Sequence, residues 1–354
     1  MSVKFHPVRV KDIEKTTADC AVITFDIDET LAKDFAFKQG QYLTFKADIN
    51  GEEVRRSYSL CSSPDDGEWK VAVKKIFEGK FSTFANEVLQ PGDTLQVMPP
   101  NGRFYVECEP DKAKNYIAFA AGSGITPILS IIKTHLYQEP KSTFKLFYVN
   151  QAVSTIILKD EVEYLKNLFP QRFEIFHFLT REERDIEFFN GRLTKEKMEV
   201  IFDKIADINQ TDDAFVCGPN EMIFMVRDFL TEKGMSEKNV HFELFNTTGA
   251  KAKKVRPTDN SKMSEINIIE GGKTIRFSIP QGSDNILDAG MKKNMDLPFA
   301  CKGGVCCTCR AKLEEGEIDM EVNYALEPDE VAAGYILTCQ AVPLSEKVTV
   351  NFDA

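Results

Sequence analysis

Four cysteines late in the chain have the residue type and spacing to hold a metal centre. Cys301, Cys306 and Cys309 form C-x4-C-x2-C within the run Cys301-Lys302-Gly303-Gly304-Val305-Cys306-Cys307-Thr308-Cys309, and Cys339 follows after 29 further residues. Thiolate sulfur is a soft donor suited to iron–sulfur clusters, and three donors on one short loop keep the closure cost low. The glycines let the backbone wrap closely, so that amide N–H groups can face bridging sulfide. This is the spacing of plant-type [2Fe–2S] centres; structural zinc is the alternative, but zinc favours paired C-x2-C knuckles and only one such pair occurs. Cys307 is a fifth cysteine inside the loop, surplus to the three ligand positions.

Other segments carry groups suited to phosphate and ring binding. Arg56-Ser57-Tyr58-Ser59 combines a cation, two hydroxyls and an aromatic ring. Extended geometry sends Arg56 and Tyr58 to one face and Ser57 and Ser59 to the other. Gly79-Lys80-Phe81-Ser82-Thr83 precedes the amphipathic run Phe84 to Leu89, which puts Ser82 and Thr83 near a helix N-terminus, a natural phosphate site. Gly122-Ser123-Gly124-Ile125-Thr126-Pro127 follows an apolar strand and opens a helix; its glycines admit a dinucleotide phosphate, and Pro127 suits the first turn. Cys217-Gly218-Pro219 follows a later strand in the same way, and Thr180-Arg181, with Arg184 and Arg192 beyond it, offers hydroxyl and guanidinium groups to a phosphate. Taken singly, each of these also fits a strand end, a tight turn or a solvated loop.

The elements that must position these residues change character along the chain. Up to about residue 110, period-two segments such as Ala21 to Ile27, Tyr42 to Phe45 and Trp69 to Val73 alternate with turns at Asn50-Gly51, Asp66-Gly67, Pro91-Gly92-Asp93 and Asn101-Gly102. Short strands so spaced predict a closed antiparallel barrel. From Tyr116 to Phe245 the rhythm is strand, loop, helix: strands at 116–120, 144–149, 173–179, 214–217 and 240–245, with helices over 128–136, 158–169 and 221–233. Such βα units imply a parallel sheet with ligands at the carboxyl ends of its strands. Asn246 to Lys262 is polar, contains Gly249 and Pro257, and reads as a linker whose basic cluster, Lys251, Lys253, Lys254 and Arg256, is a solvated face. Beyond it, Ile266–Ile269 and Thr274–Ile279 flank Glu270-Gly271-Gly272-Lys273 as a hairpin, followed by a helix around 286–293. The expected domains are thus 1–110, 111–246, a linker at 247–262, and 263–354.

Composition narrows the class. With 354 residues the chain is long enough for two to three domains at roughly 150 residues each. A net charge of −11 argues against nucleic-acid binding by phosphate neutralisation, and no run is apolar and long enough to span a membrane. Nine cysteines, an odd number and few for this length, argue against a disulfide scaffold and for a cytoplasmic protein. The last quarter, 263–354, holds 15 Asp and Glu against 8 Lys and Arg, so the acidity is concentrated around the cysteine-rich loop.

On these motifs residues 1–250 resemble the ferredoxin–NADP reductase family, and residues 263–354 resemble a plant-type [2Fe–2S] ferredoxin of the β-grasp fold. The resemblance implies a multidomain protein: an antiparallel β-barrel flavin domain, an α/β parallel-sheet dinucleotide domain and a β-grasp (α+β) ferredoxin domain. It implies that Arg56 holds the flavin pyrophosphate, Tyr58 packs on the isoalloxazine, and Ser59 hydrogen-bonds near its N5, with Ser57 beside them. Val73-Lys74-Lys75 and Lys80-Phe81-Ser82-Thr83 match the second flavin-contacting segment. Gly122, Gly124, Thr126 and Pro127 would line the nicotinamide site with Cys217, Gly218 and Pro219, so that Ser59, Thr126 and Cys217 stand at the reacting rings. Phe245 would lie over the flavin from the nicotinamide side, and Thr180 and Arg181 would grip a 2′-phosphate, favouring NADPH over NADH; Asn150-Gln151 departs from the family's usual Asn-Arg. Cys301, Cys306, Cys309 and Cys339 would ligate the cluster. The phthalate dioxygenase reductases share the domain order but use FMN, whereas Pro99-Pro100-Asn101-Gly102-Arg103-Phe104 and Gly79-Lys80-Phe81-Ser82 resemble the FAD branch. The implied activity is an NADPH-dependent reductase passing electrons through FAD and [2Fe–2S] to an oxygenase or hydroxylase component, foremost of the ring-epoxidising type found in aromatic catabolism. Reductases of Rieske dioxygenases and acyl desaturases are alternatives, as are a stand-alone NAD(P)H diaphorase and a redox sensor.

Overall fold

The first hundred residues close into a barrel. The computed structural model describes residues 4–245 and 259–354, with side chains from 262 onward in the second stretch. Strands β1 (His6–Thr17), β2 (Cys20–Asp26), β3 (Tyr42–Ile49), β4 (Glu52–Ser59), β5 (Trp69–Lys74) and β6 (Thr94–Asn101) form an antiparallel sheet in the order β4-β3-β6-β1-β2-β5. A bridge from Leu60 to Val71 and a hydrogen bond from Cys61 N–H to Lys70 O join its two edges. Helix α1 (Lys80–Glu87) plugs the barrel with Phe81 and Ala85, which join Phe25, Phe35, Phe45 and Val73 in the core.

A parallel sheet follows. Strands β7 (Asn115–Ala121), β8 (Thr143–Asn150), β9 (Phe173–Leu179), β10 (Asp213–Cys217) and β11 (Val240–Glu243) lie in the order β11-β10-β7-β8-β9, with helices α2 (Ile125–Gln138), α3 (Lys159–Leu168), α4 (Lys195–Lys204) and α5 (Asn220–Glu232) as crossovers. The order reverses between β7 and β10, and such a switch point opens a crevice at the strands' carboxyl ends. Helix α4 has no counterpart in the sequence reading. Its buried set is only Met198 and Ile201, although the Thr194 hydroxyl caps it by accepting from Lys197 N–H.

Barrel and sheet share one core. Cys20, Val22 and Ala72 point out of the barrel and cluster with Ile128, Ile131 and Ile132 of α2, and His6–Leu244 forms a single compact unit. Although β2 reads as a period-two segment, Cys20 to Phe25 are all buried, because one face lines the barrel core and the other packs on α2. Buried Lys133 on α2 ties this arrangement together at 2.6 Å from both Asp66 Oδ2 and Glu161 Oε1.

Among the described residues the second unit takes in Lys4, Phe5, Phe245 and 259–354. Strands β12 (Asp259–Glu270) and β13 (Lys273–Gln281) form the expected hairpin; then come α6 (Ile286–Met291), β14 (Arg310–Glu315), β15 (Ile318–Met320), α7 (Pro328–Ala332), β16 (Tyr335–Leu337), β17 (Ala341–Pro343) and β18 (Lys347–Asn351). The mixed sheet β13-β12-β18-β14-β16, with β12 and β18 parallel and α6 in its core, is the β-grasp arrangement. Strand β12 begins inside the stretch expected as linker, because pairing of Asp259 with Gln281 extends the ladder despite the absence of apolar period. The remainder of that linker, with its basic cluster, lies outside the described residues.

Candidate functional site

The cysteine loop runs from α6 to β14 and gathers four sulfurs. Cys306 Sγ lies 3.1 Å from Cys301 Sγ. Cys339, just past β16, meets Cys309 through a thiol hydrogen bond. The loop is held open by backbone pairing: Thr338 N–H and Oγ1 both donate to Cys309 O, Gln340 Nε2 donates to Lys302 O at 3.0 Å, and Tyr324 N–H donates to Gly304 O. Gly304 sits at φ +76°, and a Cβ there would stand 2.7 Å from Val322 O, so this turn admits only glycine.

Hydrogen bonding sets the charge of the group. The Cys306 thiol draws Cys301 down to about 6, aided by the N–H groups of Gly303, Val305 and Cys306 and opposed by burial. Cys339 is lowered by its bonds from Cys309 and Gln340, while Cys306 and Cys309 are held up as donors. Thiolates that accept N–H bonds beside further sulfurs suit the donor set of an iron–sulfur cluster. Cys307 turns the other way, into the domain core, and its thiol donates to Ala325 O at 3.0 Å.

Arg56-Ser57-Tyr58-Ser59 occupies the end of β4. Arg56 is exposed, donates to Arg55 O, and makes no ion pair among the described residues, which leaves its charge for an anion. Ser57 Oγ lies 2.9 Å from Thr44 Oγ1. Tyr58 packs beside Phe45 and Phe81, with ring centroids 6.1 and 5.5 Å away, and burial raises its phenol. Val73 and Phe81 turn their side chains into the barrel core, so a flavin can meet only their backbone. Lys74 lies 3.6 Å from Asp19 Oδ2, while Lys75 pairs with Glu87 and Lys80 with Glu52. Ser82 Oγ accepts from Ile76 N–H and donates to Gly79 O, fixing the turn into α1, and Thr83 N–H donates to Gly79 O.

The two nucleotide segments meet at the switch point. β7 and β10 pair with Ala120 opposite Cys217, and a Cβ on Gly124 would stand 2.1 Å from Cys217 O, so the first βα turn packs against the Cys217-Gly218 backbone only as glycine. Gly122 opens that turn, Pro127 is buried in the first turn of α2, and Thr126 Oγ1 donates to Ser123 O at 3.0 Å. Pro219 precedes α5 as its cap. Thr180 and Arg181 sit across from the end of β8, where their N–H groups donate to Asn150 O and Gln151 O. Arg181 is exposed; Arg184 is committed to His177 O, and Arg192 pairs with Glu221 at 3.5 Å.

The residue whose role is missed in the sequence is Glu243. It ends β11 beside Cys217, and its Oε2 accepts from buried Ser59 Oγ at 2.9 Å, which joins barrel and sheet at the crevice. Burial raises its carboxyl to about 7 against the opposing Ser59 bond. Burial, with Glu243 adding to it, lifts the Cys217 thiol well above its usual range. Phe245, the aromatic expected there, is 41% exposed. A glutamate at a strand end carries no local signal for a partner 184 positions away. A carboxyl raised in the fold contributes stability at low pH that is lost as pH rises through about 7. The melting temperature of Glu243→Gln should therefore fall less than wild type between about pH 4.5 and pH 7, the range bounded by the free and folded values; parallel profiles would refute the assignment.

Comparison with known proteins finds three matching domains. The chain matches the oxidoreductase FAD-binding domain over residues 7–105, the oxidoreductase NAD-binding domain over 119–228, and the 2Fe-2S iron-sulfur cluster binding domain over 268–344. It is 40% identical over 350 residues to a 1,2-phenylacetyl-CoA epoxidase subunit from Escherichia coli (strain K12), covering 99% of this chain and 98% of the relative. It is 31% identical over 352 residues to the ferredoxin reductase component of 3-ketosteroid-9-alpha-monooxygenase of Rhodococcus rhodochrous, covering 97% and 95%. Phthalate dioxygenase reductase shares the fold, at TM-score 0.60, 24% identity and 98% of each chain. An intact type IV self-sufficient cytochrome P450 monooxygenase gives 0.70 at 22% identity, covering 98% of this chain and 41% of that one. The protein belongs to the same family as that 1,2-phenylacetyl-CoA epoxidase subunit, oxidoreductases whose FAD-binding, NAD-binding and [2Fe–2S]-binding domains carry electrons from FAD to the iron–sulfur centre.

Proposed function

We propose that the protein is the reductase component of a multicomponent monooxygenase of the phenylacetyl-CoA epoxidase type, taking electrons from NADPH and delivering them through FAD and [2Fe–2S] to an oxygenase or hydroxylase partner. The observation that carries this reading is the full-length 40% identity to a subunit of that epoxidase. When bound, the flavin accepts an electron pair from the nicotinamide and passes electrons singly to the cluster. The chain's own contribution is placement. Arg56 supplies an exposed guanidinium, with no carboxylate partner among the described residues, for the flavin pyrophosphate; Ser57 is its neighbour on β4, and Ser82 and Thr83 lie at the turn into α1. Tyr58 offers its half-buried ring to the isoalloxazine, and Lys74, Lys75 and Lys80, each paired with a carboxylate, belong to the second flavin-contacting segment. Ser59, held by Glu243, presents a hydroxyl where the reacting rings would meet.

Gly122 and Gly124 admit the dinucleotide phosphates at the switch point. Thr126 and Cys217 flank the crevice there, with Gly218 and Pro219 at its rim. Cys301, Cys306, Cys309 and Cys339 are the cluster ligands in this reading. The functional boundaries are 1–110, 111–246 and 263–354, joined by 247–262. The acidic last domain suits a basic partner surface, so turnover with the partner should weaken with salt. A cytoplasmic site is supported by a cysteine count that is odd and low for this length. No helix among the described residues is long and apolar enough to cross a membrane.

Preference for NADPH rests on Arg181, the exposed guanidinium at the end of β9 with no carboxylate partner among the described residues. Arg181→Ala should raise KM for NADPH by about tenfold and leave KM for NADH within about twofold, since one charge-assisted contact contributes roughly 1.5–3 kcal/mol. Equal changes with both nucleotides would place 2′-phosphate recognition elsewhere.

A further inference from the structure

Away from the flavin, nucleotide and cluster residues, the end of α2 carries a buried group of unlike donors. His135 and Glu139 stand four residues apart on one face of the last turn, both without solvent exposure. Cys108, in the segment that leaves β6 for the parallel sheet, meets them there. His135 Nδ1 lies 3.5 Å from Cys108 Sγ and 3.2 Å from Glu139 Oε1, and the three donor atoms fall within 4.8 Å of one another. Tetrahedral zinc, with sulfur at about 2.3 Å and nitrogen or oxygen at about 2.0–2.1 Å, separates a sulfur from a nitrogen ligand by about 3.5 Å and a nitrogen from an oxygen ligand by about 3.3 Å.

A second observation points the same way. His135 Nε2 is buried without a hydrogen-bond partner, and the ring is enclosed by Tyr116, Phe144 and Phe215 at centroid distances of 4.7, 6.4 and 6.4 Å. An N–H among aromatic rings makes a weak favourable contact, which suits a proton on Nε2. Nδ1 meets Glu139 Oε1, which also accepts from Glu109 N–H and Tyr116 Oη, and a cation can take the place of the proton between them.

We infer that Cys108, His135 and Glu139 bind one zinc ion. Nitrogen, sulfur and oxygen donors together suit zinc, and the thiol proton of Cys108 passes to solvent as the metal binds. Tyr116 Oη donates to Glu139 Oε2 at 2.9 Å and so fixes that carboxylate, and the partly exposed Cys108 side gives the ion its entry. The ion would staple the segment leaving the barrel to the helix whose other end forms the nucleotide turn. The site is independent of which oxygenase the chain serves.

The test uses full-length protein carrying its flavin and iron, dialysed with zinc chloride and then gel-filtered. Elemental analysis should find about one zinc per chain, and zinc-edge X-ray absorption should show one sulfur at about 2.3 Å with the remaining ligands nitrogen or oxygen. Cys108→Ala should lower retained zinc at least tenfold while flavin and iron stay at their wild-type content. Zinc below about 0.1 per chain in protein with full flavin and iron would overturn the assignment, as tight sites retain metal through filtration. So would zinc surrounded by four sulfurs, which would locate it in the cysteine loop, or zinc undiminished in Cys108→Ala. Should that variant fail to fold, the wild-type absorption spectrum decides alone.

Discussion

Replacing Cys306 by serine is expected to remove the visible absorption of the iron–sulfur centre and to stop reduction of the oxygenase partner, while Cys307→Ser leaves both intact. The two residues are adjacent, yet their side chains point to opposite environments. Cys306 Sγ sits 3.1 Å from Cys301 Sγ within the group of four sulfurs; Cys307 is in the hydrophobic core with its thiol on Ala325 O. A hydroxyl is a poor substitute for thiolate on iron, so the loss in the first variant should be complete. In the second, serine can still donate to Ala325 O, and the cost is confined to slightly poorer packing. Flavin content and dye reduction by NADPH should be unchanged in both. A lost spectrum in Cys307→Ser, or a retained one in Cys306→Ser, would refute the ligand set.

Removing residues 263–354 should leave a protein that binds flavin and reduces dyes with NADPH, with rates within about twofold of the full chain, because a domain with its own core folds alone. Reduction of the oxygenase partner should fall to background. The structural basis is that His6–Leu244 forms a compact unit with hydrophobic clusters made from its own residues, while the ferredoxin domain packs its own. An insoluble truncated protein would contradict that independence, and continued partner reduction would show that the cluster is not the exit.

Much of this was legible in the sequence because it rests on local chemistry. The cysteine spacing, the Gly271-Gly272 hairpin, the period-two strands of the barrel and the Gly122-to-Pro127 turn each announce themselves within a dozen residues. What was not legible depends on distant partners. Nothing near Gly124 shows that it packs against Cys217 O, and nothing near Glu243 shows the Ser59 hydroxyl. Helix α4 buries only Met198 and Ile201, too few for a clear apolar stripe. The outward-facing Cys20, Val22 and Ala72 make barrel and sheet one compact unit, although the change of rhythm near residue 110 suggests a break. Strand β12 reaches back to Asp259 because its partner supplies the hydrogen bonds that its polar residues do not advertise.

The most direct test of the central claim is anaerobic stopped-flow absorbance of the full-length protein mixed with NADPH. Flavin bleaching should come first and bleaching of the iron–sulfur bands second, with the second phase absent in Cys306→Ser and the first unchanged. Reduction of the cluster at an undiminished rate in protein stripped of flavin, or isolation of iron-replete protein that binds no flavin, would contradict electron passage from NADPH through FAD to [2Fe–2S].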